Sequence, residues 1–600
     1  MHLRLEIPLK HNISIRAKIF AALVGVVSLI GLGYETTINI NQLRGVGIQG
    51  AVGNGTTDDS AAFVSACNNQ KEIWLSSGYT YFFGTSVTLP CNIKFVSGSQ
   101  FSIGTGVTVT FTGQVIAPKI QIFTYQGTGQ VLLPATNKNV YAEWFGAHAD
   151  WNGSTGTDNT AAMNDALQAV HGGGHLQLLP GTYMVSGTVD NRKSSTGIIG
   201  ASQGYYTYGT PSNIISTSST ADIIDCNPGA TSSQVIFWNQ FKNFALYRSV
   251  VPSATSTATG LSLNFCGGNI TDHVISNDSI RAFYVHGNYA YGIGGLINSE
   301  GQWGEAGVTE TTGNLYCIYV DSADGNPENS SRYRHDSCGQ SGVSATTYGA
   351  YVYGTDVNDI MFDGLETAAL NYGVYINRVS GSTTGIYSSD IHFVSSILDG
   401  CVTSCIYVNN IGPGGTPSVN FDEGWISSYN TTGNLIDVEN STGVNFQNIL
   451  LNDSNTGNNN GIYVNNSHQI RIANSFFQGF PNSAPTQNAI FVNASDKVVV
   501  IGNTLQMGYN TGGAVIQLNG STGVTVASNV LDAGAGGNMV WLVGSSHNSI
   551  SSNPITGAFA TGILLDANSG SNSIVGVNAI FSSGAFTAVT NNGTGNAITN

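Results

Sequence analysis

The chain has 600 residues with only 9% charged, 41% hydrophobic, 10% aromatic and 76 glycines, and 35 acids against 19 bases give a formal net charge of −16. No basic patch exists to neutralise phosphates, which argues against a nucleic-acid partner. The apolar and aromatic content is enough for a core, which argues against disorder.

Residues 1–18 are moderately basic (Arg4, Lys10, Arg16, Lys18), and Ile19 to Gly33 is an uncharged apolar run. That length is short for a membrane span and suits a signal-peptide core. The preceding region is long for a signal, however, and no Ala-x-Ala site follows. Residues 1–46 therefore read as a signal or membrane anchor, or as an apolar plug that docks the protein into a larger assembly.

From Gly47 the chain runs Gly-Ile-Gln-Gly-Ala-Val-Gly-Asn-Gly-Thr-Thr-Asp-Asp-Ser-Ala-Ala-Phe-Val. Asp58, Asp59 and Ser60 are good N-cap residues for a short helix over Ala61–Cys67. The arrangement recurs: Glu143-Trp-Phe-Gly-Ala precedes Gly156-Thr-Asp-Asn-Thr-Ala-Ala-Met, and Leu179-Pro-Gly-Thr-Tyr restarts the strands. Residues 47–143 are expected to form a capping unit, 144–590 the main body and 591–600 a tail.

Residues 191–348 are irregular and rich in aromatics, among them Trp238, Tyr284, Trp303, Tyr316, Tyr319 and Tyr333. Insertions of this kind carry binding residues on loops, where aromatic rings suit the apolar faces of sugars. Alternatively, the rings fill wider coils.

From Gly349 to about Ser583 one phrase returns: Gly349-Ala-Tyr-Val-Tyr, Gly373-Val-Tyr-Ile-Asn, Cys405-Ile-Tyr-Val-Asn, Leu435-Ile-Asp-Val-Glu, Gly461-Ile-Tyr-Val-Asn, Ala489-Ile-Phe-Val-Asn, Val515-Ile-Gln-Leu-Asn, Met539-Val-Trp-Leu-Val and Gly562-Ile-Leu-Leu-Asp. The starts lie 23 to 32 residues apart, the range of a solenoid repeat. A second phrase follows in most units (Ile360-Met-Phe, Ile391-His-Phe, Val419-Asn-Phe, Val444-Asn-Phe). Apolar residues at every second position mean strands, and the Asn, Gly and Ser between them mean tight turns. Two or three short strands per unit, stacked coil on coil, make a parallel β-helix with one long core.

The opening phrases, with Trp-Phe-Gly-Ala and Leu-Pro-Gly-Thr-Tyr, resemble the start of the pectate-lyase-superfamily β-helix of bacteriophage tailspikes, capsule depolymerases and some bacterial carbohydrate-active enzymes. The match is close over residues 47–190 and is one of pattern beyond. It departs at Asn159, where the family phrase has Asp. The resemblance implies an all-β, right-handed parallel β-helix solenoid with short N-terminal capping helices. It also implies a homotrimer on a virion tail, held to other tail proteins by its N-terminus, that binds and cuts a bacterial surface polysaccharide. A secreted or membrane-anchored bacterial enzyme and a non-catalytic adhesin are the alternatives.

The eight cysteines (67, 91, 226, 266, 317, 338, 401 and 405) show no metal spacing; they read as buried free thiols acting as small hydrophobes, with a disulfide framework as the alternative, since Cys67 and Cys91 could meet within one small unit and Cys401 and Cys405 flank one turn. No cofactor or metal is implied.

Hydrolysis of a glycosidic bond needs two carboxylates. In the register of the second phrase Ile360, Phe362, Ile391, Phe393, Val419 and Phe421 point inward, so Asp363 and Asp422 share one outward column two coils apart, roughly 9.6 Å. Glu366 and Glu423 stand close in sequence, with His392 and Trp425 as substrate-binding neighbours; crowded carboxylates would raise one another's pKa, as a general acid requires. Asp58, Asp59 and Asp158 are read as capping residues and not as catalysts. The second candidate is Arg332-Tyr-Arg-His-Asp336, where Arg332, Arg334 and His335 suit binding of, or β-elimination from, a uronic-acid polymer. It also reads as an ion-paired loop or a subunit contact.

Overall fold

The computed structural model describes residues 50–599 except 203–210, 232–233, 251, 254, 288–295, 301–314, 323–327, 330, 335–336, 340–345, 355–356, 379–388, 413–418, 429–432, 454–459, 481–487, 508–512, 534–536, 577–579 and 583–584. The Ile19–Gly33 run, Trp303 and His335 lie outside the described residues.

Period-two alternation of Ile and Val with small polar residues makes half-buried strands, and each coil of the regular region contributes three. Stacking produces two long parallel sheets, and the protein is a parallel β-helix. One sheet has 15 strands, from Val189–Asn191 to Thr587–Asn591; it is wall 3. The other has 27, from Asn139–Tyr141 to Ala597–Thr599, and covers two sides of the rod, walls 1 and 2.

One left-handed residue per coil separates wall 1 from wall 2: Gly364 (φ 76°), Ser395 (52°), Glu423 (53°), Asn448 (56°) and Asn474 (52°). The strands Ser389–Asp399, Val419–Ser428 and Val444–Asp453 run through this corner. Just past it, buried Asn503, Asn529 and Asn553 form a ladder: Asn503 Nδ2 donates to Asn529 Oδ1 (2.9 Å) and Asn529 Nδ2 to Asn553 Oδ1 (3.0 Å). Each buried amide thus finds its partner one coil away.

Like side chains stack inside as well. Tyr333, Phe362, Phe393, Phe421 and Phe446 follow one another at centroid distances of 4.4, 4.6, 4.7 and 5.1 Å. A single apolar cluster runs from Phe63 to Ile574.

Residues 54–132 build three smaller parallel sheets of three or four strands. Helix α1 (Ser60–Asn69) buries Phe63 and Cys67, and helix α2 (Thr160–Ala169) buries Met163, Ala166 and Leu167. The expected capping role of the motif residues is corrected in part. Asp58 Oδ1 does accept the Ser60 N–H (3.0 Å), but Asp59 turns back to accept the N–H groups of Val52 (2.7 Å), Gly53 (3.2 Å) and Phe82 (3.2 Å). Asn159 is the equivalent clamp with the polarity reversed in part: its Oδ1 still accepts the His148 N–H (2.6 Å). Its amide nitrogen donates to the carbonyls of His148 (3.0 Å), Thr157 (2.8 Å) and Met184 (3.0 Å), which a carboxylate cannot do.

The free-thiol expectation is overturned: Cys67–Cys91, Cys226–Cys266, Cys317–Cys338 and Cys401–Cys405 are disulfides, and no cysteine is free. Coil stacking brings residues far apart in sequence to Cα separations of 5.0 to 6.1 Å, inside the range a bridge requires. The ladder also continues past the expected tail boundary, since Ala597–Thr599 pairs with Ser573–Val575.

Alkylation of the unfolded, unreduced chain should label none of the eight cysteines, and labelling after reduction should reach all eight; mass spectrometry reads the difference. Phe393→Ala opens the middle of the ring stack and should cost about 3–5 kcal/mol, seen as a lower thermal midpoint.

Candidate functional site

On wall 3 the alternate side chains that face outward fall into columns fixed by the strand register. The central column runs Tyr284, Tyr319, Tyr351, Tyr375, Tyr407, Asp437, Tyr463, Phe491, Gln517 and Trp541. Its rings lie 5.5, 4.8, 5.1 and 4.9 Å apart from Tyr284 to Tyr407. Beside it, Tyr316, Tyr348 and Tyr372 stack at 4.9 and 5.3 Å, nearly perpendicular to the first set.

The column on the other flank runs His286, Asp321, Tyr353, Asn377, Asn409, Glu439, Asn465, Asn493 and Asn519. It is mostly an amide ladder, with Asn493 Nδ2 donating to Asn465 Oδ1 (2.8 Å) and Asn519 Nδ2 to Asn493 Oδ1 (2.7 Å). At its head His286 pairs with Asp321, whose two oxygens each accept the Tyr284 hydroxyl at 3.2 Å.

One coil breaks both patterns. In Ile436–Glu439 the aromatic is replaced by Asp437 and the amide by Glu439. Asp437 sits half-buried between Tyr407 and Tyr463, with Asn434 Nδ2 donating to its Oδ1 at 2.6 Å. Desolvation, with the nearby Glu439 charge, pushes its pKa from 3.8 up to about 7 against the opposing Asn434 hydrogen bond. Tyr407 donates to Glu439 Oε2 at 3.2 Å; burial first, then the Glu439 charge, pushes the Tyr407 pKa up. Two carboxyl groups thus share one face, one of them with its pKa raised to about 7, the pairing that general acid and base chemistry uses. This pair was missed in the sequence, although Leu435-Ile-Asp-Val-Glu stands out among nine repeats for having acids where its neighbours have Tyr and Asn.

The residues singled out from sequence lie on walls 1 and 2. The column Arg334, Asp363, Val394, Asp422, Gln447 has the expected two-rung gap between the aspartates. It also places Arg334 directly below Asp363, so the two separate candidates share a column. Asp422 accepts Gln447 Nε2 (2.9 Å) and Asn448 Nδ2 (2.8 Å). Glu423 is the left-handed corner residue and accepts the Ser395 hydroxyl at 3.4 Å. Past the corner Glu366, Ile397 and Trp425 share a column on wall 2, with Trp425 40% exposed. His392 Nε2 pairs with Asp390 (2.6 Å), and Arg332 bonds the carboxylate (3.0 Å) and carbonyl (2.7 Å) of Asp359. Among the described residues no group of three or more His, Cys, Asp or Glu is placed to hold a metal.

Residues 139–300 match the family model described as rhamnogalacturonase A/epimerase, pectate lyase-like, so the chain carries a pectate-lyase-like domain. Among solved structures, it is similar to the A-module of an Azotobacter vinelandii mannuronan C-5 epimerase, at 14% identity over 77% of this chain and 100% of the other, with a TM-score of 0.33. It is also similar to the Streptococcus pneumoniae surface adhesin PfbA (13%, 74% and 93%, TM-score 0.35) and to tailspike protein 3 of bacteriophage CBA120 (9%, 76% and 62%, TM-score 0.32). No curated protein matches.

A carboxyl that binds its proton more tightly folded than unfolded contributes most at low pH. Its contribution falls as pH rises through the window between its two pKa values, here from about 4 to about 7 for Asp437. Thermal midpoints of Asp437→Asn and the parent should therefore diverge in favour of the variant as pH is raised across that window. A difference that stays constant would contradict the raised proton affinity.

Proposed function

We propose that this protein is a phage tailspike-type depolymerase that binds a bacterial surface polysaccharide along wall 3 and hydrolyses its glycosidic bonds, with Asp437 as general acid and Glu439 as its partner. The observation that carries this reading is the single coil whose acid pair interrupts the tyrosine and amide columns. The pectate-lyase-like match over residues 139–300 supports a role in handling polysaccharide, and the resemblance of the opening motifs to tailspikes supports the virion, homotrimeric setting.

In the reaction Asp437 gives its proton to the glycosidic oxygen as the C–O bond breaks. Glu439 takes a proton from the water that adds to the anomeric carbon, or attacks that carbon itself before water completes the exchange. Tyrosine hydroxyls and the amide ladder, repeated at each rung, offer hydrogen-bonding groups to successive sugar units.

Two features favour other assignments. The two-rung gap between Asp363 and Asp422, roughly 9.6 Å, is near the upper end of the spacing for an inverting pair and keeps wall 1 as a second catalytic reading. Four disulfides suit an oxidising, extracellular setting and favour the secreted-enzyme reading over a protein assembled in a reducing cytosol.

Incubating the purified chain with capsule and O-antigen preparations, and following reducing ends and the absorbance of unsaturated uronates, tests the proposal. Reducing ends should appear without the absorbance. Asp437→Asn and Glu439→Gln should each lower turnover by about a hundredfold or more with binding retained, while Asp422→Asn leaves it unchanged. The reverse pattern would move the chemistry to wall 1, and binding without shortening would make the protein an adhesin.

A further inference from the structure

The acids of wall 3 lie on four of its strands, all before residue 440. Its outward positions carry Asp190, Asp225, Asp321, Asp437 and Glu439. Among the described residues Arg281 is the one cation in these columns, with His286 beside it as the partner of Asp321. The Arg281 guanidinium is already engaged, 4.4 Å from the ring centroids of both Tyr284 and Tyr319. Arg192 pairs with Asp190 at 2.8 Å, and Arg378 follows the strand Tyr372–Asn377 at the rim of the wall.

The other basic residues after Arg281 are elsewhere. Arg332, Arg334 and Arg471 lie in wall 1 strands, and Lys497 is a left-handed residue just before the wall 1 strand Val499–Ile501. The stretches beyond residue 281 that fall outside the described residues contain no Lys or Arg in their sequence.

We infer that the glycan taken by this wall is a neutral polysaccharide. A polyuronate lying along the rod would meet Glu439 and the paired carboxylates of Asp190 and Asp321, with Asp225 and Asp437 beside them, and no uncommitted cation among the described residues, on a half-buried surface where solvent screens like charges poorly. A neutral chain meets the same groups as hydrogen-bond partners: Tyr hydroxyls, Asn amides, and carboxylates accepting from sugar hydroxyls. The inference rests on wall 3 being the glycan-binding face, and the experiment separates the two ideas.

Affinity electrophoresis of the full chain, with divalent cations removed and again with calcium added, would use gels containing dextran, galactomannan or arabinogalactan and gels containing polygalacturonate, alginate or hyaluronate. At least one neutral polymer should retard the protein, and Tyr351→Ala, with an unchanged circular dichroism spectrum, should abolish the retardation. Every polyuronate should bind at least tenfold more weakly, and Asp225→Asn with Asp321→Asn should narrow that gap severalfold. Retardation by a polyuronate at equal or better affinity, lost in Tyr351→Ala, would overturn the neutral assignment while leaving the glycan-binding wall in place. Retardation by no polymer of either class would sink both.

Discussion

Parallel pairing at a fixed rung spacing gives every outward side chain on this rod the same two neighbours for as long as the register holds: the residue one coil before it and the residue one coil after. Phenylalanines therefore stack on phenylalanines inside, and tyrosines on tyrosines and amides on amides outside. The same rule creates the chemistry. A carboxylate set into an aromatic column is enclosed by rings above and below it, so Asp437 holds its proton more tightly than an isolated surface aspartate. No deep cleft is needed for that effect; one exception in a repeating column is enough.

The corner between walls 1 and 2 explains which parts of this arrangement could be read from sequence. Alternation identified the strands and placed Asp363 and Asp422 in one column, because both lie before the left-handed residue and period two still applies there. Past Gly364, Ser395 and Glu423 the alternation slips, so Glu366 and Trp425, close in sequence to those aspartates, belong to another wall. Asp437 and Glu439 are visible in the sequence as acids within a repeat, but not as a site. Their phrase fits the strand pattern as well as Ile-Tyr-Val-Asn does, and only the columns of neighbouring coils show what the change of residue does.

The cysteines and the motif acids show a different limit. Whether two thiols meet depends on coil length and on where each strand begins, neither of which composition carries, so eight cysteines without metal spacing were compatible with free thiols until the coils were stacked. Asp59 and Asn159 precede helices in similar phrases, and local spacing suits both to capping. Their side chains instead tie together strands, Asp59 by accepting N–H groups and Asn159 chiefly by donating to carbonyls. The departure from the family phrase at Asn159 therefore preserves the clamp while exchanging the partners it holds.

A repeating column also separates the needs of the fold from those of the site. At the Glu439 position the neighbouring coils have Asn409 and Asn465, and the Asn409 side chain is bonded by Asn440 instead, one residue past the acid. At the Asp437 position the neighbours are Tyr407 and Tyr463, whose rings would extend a stack if another ring stood between them. Stability alone would favour an amide and an aromatic in this coil, as in most of the others. Two carboxyl groups there weaken the ladder locally and leave the remaining coils untouched, because each coil touches only the one before and the one after. That is the trade expected if this coil carries the site proposed above.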